Sequence, residues 1–347
     1  MATAIVLRTY GGPEVLTSER AEVGRPGRGE LRVRQTAIGV NFHDCYVRSG
    51  LYRTLALPGI PGIEAAGVIE EIGPDVSGFA VGDRIAYVTG QYGAYASERL
   101  MQAAIALRLP AGISEAVAAT VLLKGLTTEM LTREVHPLKA GDVVLVHAAA
   151  GGVGRLLCRR ARQLGATVIG TVGSAAKAEI ARASGCAHTI LYRQEDFVAR
   201  VKEITGGRGV DIAYDSVGRD TFDGSLESLA LRGHLVNFGQ ASGSVPPFEI
   251  ARLAARSTSV SRPILFHYVA ERSSLEKTGR ACLRGRPQRP VPGRVRPGLP
   301  ARRRRGRPSR AGNATSGRAA FADAVIRKSG SGTKKELLLK TPIRAYL

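Results

Sequence analysis

The chain has 347 residues, 44% of them hydrophobic, which is enough for two domains and a sizeable core and ordinary for a globular enzyme. The net charge of +21 is local: between Thr278 and Ala322 thirteen arginines stand with no lysine and no acid, so this one segment carries most of the excess. Met1 to Gly12 lacks a signal-peptide apolar region and no run approaches the roughly 18 apolar residues of a membrane span, so a membrane protein is excluded and a cytoplasmic one expected.

In chain order, Ala4-Ile5-Val6-Leu7 and Leu31-Arg32-Val33-Arg34 read as strands around a Gly/Pro-containing turn region. A cluster of polar and aromatic groups follows, from Asn41-Phe42-His43-Asp44 to Tyr52, in which Asn41 or Asp44 could cap a helix or line a site. Pro58 to Ile69 is a turn entering a strand, and Val81 to Tyr87 is another. This first region is expected to be a strand-rich barrel.

The middle of the chain carries a sharper signal. Val143-Val144-Leu145-Val146 is a short buried strand, His147 to Gly152 a turn of small residues, and Val153 onward a helical pattern ending at Leu164-Gly165. Glycines at 151, 152 and 154 let a pyrophosphate approach the backbone, and the helix start favours its charge. Leu157 breaks the strict G-x-G-x-x-G spacing, but Thr167 to Thr171 supplies the next strand of a βαβ unit. A glycine turn without nucleotide is the plainer alternative. NAD sites place an acid at the end of that second strand, about 20 residues past the glycines. Here the strand ends Thr171-Val172-Gly173-Ser174, with Lys177 one turn on and no acid before Glu179, which favours NADPH.

Taken together, Gly11 to Leu16, Asn41 to Asp44, Arg48 to Tyr52, Gly62 to Gly67, Val81 to Arg84, Leu123 to Thr127, Ala148 to Gly154, Tyr214 to Gly218, Phe238-Gly239 and Arg262-Pro263 resemble the NADPH-dependent quinone oxidoreductases. These are the zinc-free, zeta-crystallin-like branch of the medium-chain dehydrogenase/reductase superfamily. The resemblance covers roughly residues 1 to 275. It implies an α/β chain in which a GroES-like β-barrel catalytic domain (1–124) accompanies a doubly wound Rossmann domain (125–265), with residues 266–347 returning to the catalytic domain. A homodimer binding NADPH in the interdomain cleft is also implied. Carried over, Asn41 and Tyr46 line the nicotinamide end, and Lys124 and Thr127 the domain junction. Ala149, Ala150, Gly151, Gly152 and Val153 hold the pyrophosphate, while Gly173, Ser174, Lys177 and Tyr192 hold the ribose and its 2′-phosphate. Ser216, Phe238, Gly239 and Gln240 pack along the cofactor, and Tyr52 shapes the quinone pocket.

No metal is expected. Zinc-dependent relatives carry Gly-His-Glu where this chain has Gly62-Ile63-Glu64, the six histidines lack H-x-x-x-H or H-E-x-x-H spacing, and Cys45, Cys158, Cys186 and Cys282 form no C-x-x-C pair. Without a Lewis acid the acceptor must already be electrophilic, as a quinone or conjugated enone is. Hydride or stepwise electron delivery from the nicotinamide follows, with Tyr46, Tyr52, Lys124 or solvent supplying the residual proton. An enone or alkenal reductase is the alternative on the same scaffold.

The family's last helices and strands are not legible from about Thr278, where neither helical nor strand periodicity is found. A disordered basic tail is one reading. A shifted reading frame is the sharper one: one base forward, permitted codons for Leu299 to Gly317 and for Cys282 to Arg289 can spell segments resembling the family's penultimate helix and the helix before it. The catalytic domain is then expected to be poorly packed around a formed Rossmann core, with impaired activity. Nucleic-acid binding through the arginine segment is the reading of another class, non-specific and salt-sensitive.

Overall fold

The computed structural model describes residues 1–284 and the short strand 325–327. Strands β1 (Ala2–Leu7) and β2 (Leu16–Ala21) pair as an antiparallel hairpin. β3 (Glu30–Gly39) alternates with a period of two, placing Leu31, Val33, Gln35 and Ala37 inward and the arginines between them on the other face. Helix α1 (Phe42–Ser49) follows, then β4 (Glu64–Ile72), β5 (Arg84–Val88), β6 (Glu98–Gln102) and β7 (Ala106–Arg108). These strands form an antiparallel sheet in which β3, β4, β5 and β7 are successive neighbours and β6 pairs with β3. Leu31, Val33, Ile69, Ile85, Tyr87 and Met101 fill its core.

α2 (Glu115–Glu129) links the two halves. Ser114 caps it by accepting the Val117 N–H, and its apolar residues are spread round the helix, as suits a helix buried on several sides. It packs on β3, β4 and β5 and then runs into a widened turn over Met130–Val135.

Beyond it come β8 (Val143–Val146), α3 (Gly152–Gln163), β9 (Thr167–Val172), α4 (Ala175–Ala183), β10 (His188–Leu191), α5 (Phe197–Ile204), β11 (Val210–Asp215), α6 (Phe222–Glu227), β12 (Leu229–Asn237) and β13 (Ser259–Ser261). The six strands form a parallel sheet in the order β10-β9-β8-β11-β12-β13. The order reverses at β8, so the crevice for a ligand opens at the carboxyl ends of β8 and β11. Short runs such as Val143 to Val146 are apolar on both faces because helices cover both.

One expectation is corrected near the end. Helices α7 (Leu265–Tyr268) and α8 (Arg272–Arg284) follow the sheet, and α8 carries regular structure through Thr278 to Arg284, where no periodicity was expected. The reason is packing. Leu275, Gly279 and Leu283 recur every fourth residue, Leu275 and Leu283 are buried, and Gly279 and Cys282 abut Leu107 and Gly125. Beyond this, β14 (Val325–Arg327) pairs antiparallel with β3. Most of the proposed frame-shifted segment, with the packing expected of it, lies outside the described residues.

Candidate active site

The turn after β8 is held from beneath. His147 is buried, with its ring nitrogens 2.9 Å from Thr171 Oγ1 and 2.9 Å from Ser225 Oγ. Burial keeps its pKa below the usual histidine value, so it serves as a neutral strut. Ala148 takes a left-handed conformation (φ 51°), the Gly151 N–H donates to its carbonyl at 2.8 Å, and α3 starts at Gly152. A Cβ on Gly154 would stand 2.3 Å from the Ala148 carbonyl oxygen, so helix and turn touch only because that side chain is absent. Gly239 is a second such place, where a Cβ would lie 2.7 Å from the Ser216 carbonyl. Ala149, Ala150, Gly151, Gly152 and Val153 thus form one small-residue cradle at a helix start, and Ser216 and Phe238-Gly239 follow the ends of β11 and β12 in the same parallel sheet. A dinucleotide pyrophosphate fits this cradle.

The end of β9 gathers a second group. Gly173 follows the strand, and Ser174 caps α4 by accepting the Lys177 N–H at 3.4 Å. The Tyr192 phenol lies 3.0 Å and Arg193 Nε 3.6 Å from where a Gly173 Cβ would be. Tyr192 was expected here. Arg193 was not, although it is a second cation beside it and the only signal was its position next in sequence.

The other wall belongs to the barrel. The Asn41 amide donates to Glu64 Oε2 at 2.9 Å, while Glu64 Oε1 accepts the Leu123 N–H at 2.7 Å. Glu64 is fully buried and joins β4, α1 and α2. The Asn41 backbone N–H donates instead to Asp44 Oδ2, which also accepts the Tyr95 hydroxyl at 3.0 Å. Asn41 is therefore the N-cap of α1 and Asp44, at the third helical position, reaches back to its N–H, while the buried Asn41 amide is engaged with Glu64. Burial, opposed by these two bonds and increased by nearby Glu64, raises the Asp44 pKa to about 7. Lys124 is nearly buried and donates to the Thr120 carbonyl at 2.8 Å, and the Thr127 hydroxyl donates to Leu123 at 2.8 Å, so both use a donor within α2.

Tyr46 and Tyr52 meet edge to face at 4.9 Å between ring centres. The Gln240 N–H donates to the Tyr46 phenolic oxygen at 3.1 Å, and Arg262 donates to the Tyr52 oxygen at 2.5 Å and to the Asn237 carbonyl at 3.1 Å. Burial pushes the Tyr46 phenol well up. His43 lies behind, its Nε2 3.2 Å from the Tyr92 hydroxyl; burial and the nearby Arg262 charge lower its pKa to about 4. Ile63, between Gly62 and Glu64, packs in an apolar cluster with Leu7, Val47 and Tyr92. Among the described residues no group of three or more His, Cys, Asp or Glu could hold a metal, and no helix is long and apolar enough to cross a membrane.

A parallel sheet with a glycine turn at its switch point, faced by an antiparallel barrel whose phenols Tyr46 and Tyr52 bond to Gln240 and Arg262, defines a two-domain dinucleotide-binding oxidoreductase. Comparison with known proteins agrees. The alcohol dehydrogenase GroES-like domain profile matches residues 27–111 and the zinc-binding dehydrogenase profile residues 152–282. The chain is 45% identical to quinone oxidoreductase 1 of Escherichia coli over 276 residues, covering 79% of this chain and 84% of that one. It is also 45% identical to a 2-haloacrylate reductase of a Burkholderia species over 290 residues, 82% and 87% of the two chains. The crystal structure of the Escherichia coli quinone oxidoreductase complexed with NADPH superposes with a TM-score of 0.79 at 43% identity, covering 81% and 87%. The chain belongs to the NADPH-dependent quinone oxidoreductase family of the medium-chain dehydrogenase/reductase superfamily.

Proposed function

We propose that the chain is an NADPH:quinone oxidoreductase, with residues 1–124 and 125–265 as its catalytic and cofactor domains and 266–347 returning to the first. When bound, NADPH supplies a hydride from its nicotinamide. Ala149 to Val153 hold the pyrophosphate with backbone N–H groups, and Gly173, Ser174, Lys177 and Tyr192 receive the ribose and its 2′-phosphate, with Arg193 added to them. Asn41, held by Glu64, and Tyr46, held by Gln240, orient the nicotinamide end with Thr127, while Ser216, Phe238 and Gly239 pack along the cofactor.

The observation that carries this reading is the Tyr46–Tyr52–Arg262 group at the mouth of the crevice. The two phenol rings, inclined at 61° to each other, form an angled aromatic corner against which one face and one edge of a planar acceptor can pack. The Tyr46 oxygen accepts from Gln240 and the Tyr52 oxygen from Arg262, so each hydroxyl can still donate its own proton to an acceptor oxygen. The Arg262 guanidinium, bonded to the Tyr52 oxygen, would stabilise negative charge developing on an acceptor held beside that phenol. Lys124, engaged with Thr120, stands further back as a proton donor, and solvent remains another.

A second reading, an enone or alkenal reductase, is favoured by the 2-haloacrylate reductase relative and by Arg262, whose guanidinium suits a carboxylate as well as a phenolate. A homodimer and non-specific, salt-sensitive nucleic-acid binding by the arginine-rich segment are part of the same proposal; a cytoplasmic location belongs with it. The test is NADPH oxidation by the full chain with 1,4-benzoquinone and, separately, with 2-chloroacrylate. Faster turnover of the quinone supports the first reading, faster turnover of the acrylate the second, and turnover of neither refutes both.

A further inference from the structure

Two of the four cysteines meet inside the cofactor domain. Cys158 on α3 and Cys186, between α4 and β10, are 28 positions apart, yet their sulfurs lie 3.4 Å from each other. Cys158 is fully buried, while Cys186 keeps 7% exposure and is followed by the exposed Ala187. Cys45 and Cys282 do not share this contact, and all four are free thiols. The geometry points to a reversible thiol modification site at Cys158 and Cys186, closed to an intramolecular disulfide by a hydroperoxide.

The order of events follows from access. Cys186 is the sulfur a small oxidant reaches first. Cys186 keeps the greater exposure and Cys158 lies behind it at 3.4 Å, so Cys186 is the nucleophile and Cys158 the resolving thiol. The Cys186 thiolate attacks hydrogen peroxide: an S–O bond forms, the O–O bond breaks, and one water leaves after protonation. Cys158 then attacks the sulfenic sulfur, forming the S–S bond, breaking the S–O bond and releasing a second water. Two thiols are oxidised and one peroxide is reduced to two waters. Closing the bond requires the sulfurs to approach from 3.4 Å to about 2.05 Å.

The place of the pair gives the modification a target. Cys186 Sγ lies 2.6 Å from where a Gly170 Cβ would be, and the Ala149 Cβ lies 2.7 Å from that same point on β9. The disulfide would therefore tie α3 to the α4–β10 edge directly behind the pyrophosphate turn.

The test treats the full chain with limiting hydrogen peroxide, alkylates the remaining thiols and maps the peptides by mass. The expected result is a Cys158–Cys186 linked peptide lacking two hydrogens and restored by dithiothreitol, with Cys45 and Cys282 alkylated. Cys158→Ala should then accumulate a dimedone adduct at Cys186, and Cys186→Ala none at Cys158. Wild-type chain in which Cys45 or Cys282 is oxidised first, or in which Cys158 and Cys186 stay alkylatable, would overturn the inference.

Discussion

The Gln240 N–H donates to the Tyr46 phenolic oxygen at 3.1 Å across 194 positions of sequence, binding the barrel helix α1 to the loop after β12. The contact bridges the crevice and sets the two walls at one spacing. Tyr46→Phe removes an acceptor from a partly buried N–H, which should cost about 1 kcal/mol of stability and lower quinone turnover. Urea unfolding alongside NADPH oxidation checks this; an unchanged midpoint with unchanged turnover would mean the bond does neither.

At the cofactor turn, Gly154→Ala places a methyl 2.3 Å from the Ala148 carbonyl oxygen and 2.9 Å from the Ala149 Cα. Backbone cannot swing aside as a side chain can, so a loss of about 1–3 kcal/mol is expected, with NADPH affinity falling tenfold or more. Calorimetric titration of the variant measures the affinity directly, and wild-type affinity would show that the turn is not the pyrophosphate cradle.

Asp44 makes stability depend on pH. Its folded pKa, raised by burial to about 7, lies above the ordinary carboxylate value, so the folded state keeps a proton that the unfolded chain has released. The contribution is full below about pH 4 and declines as pH rises toward 7, by up to about 1.4 kcal/mol per pH unit. Asp44→Asn keeps an oxygen for Asn41 and Tyr95 and removes the titration. Unfolding at pH 5 and pH 7 should therefore show a steeper loss for wild type than for the variant, and parallel losses would contradict the assignment.

The cofactor preference rests on the cations beyond β9. Arg193→Ala should weaken NADPH binding by about 1.5–3 kcal/mol, the scale of a hydrogen bond to a charged group, and leave NADH binding unchanged. Equal weakening toward both would place Arg193 away from the 2′-phosphate.

Much of this was legible in the chain. The glycine turn, the strands beside it and the missing acid after β9 are local signals, and local signals survive in sequence. The Tyr46 and Tyr52 pair was named as well, because the family motif carries both. What escaped is long-range. Glu64 was read only for lacking a histidine neighbour, since its hydrogen bond to Asn41 crosses 23 positions and has no periodic mark. Arg262 was seen as part of a motif, but its contact with Tyr52 spans 210 positions. The close of α8 was missed because glycine and arginine mask a four-residue repeat whose apolar members, Leu275 and Leu283, are few.

The central claim is that the crevice between barrel and sheet is an NADPH site that serves quinone reduction. The most direct measurement is calorimetric titration of the full chain with NADPH and with NADH, followed by turnover with 1,4-benzoquinone in the same sample. The account predicts binding of NADPH at least tenfold tighter than NADH, with quinone-dependent oxidation of the bound cofactor; absence of binding to either would contradict it.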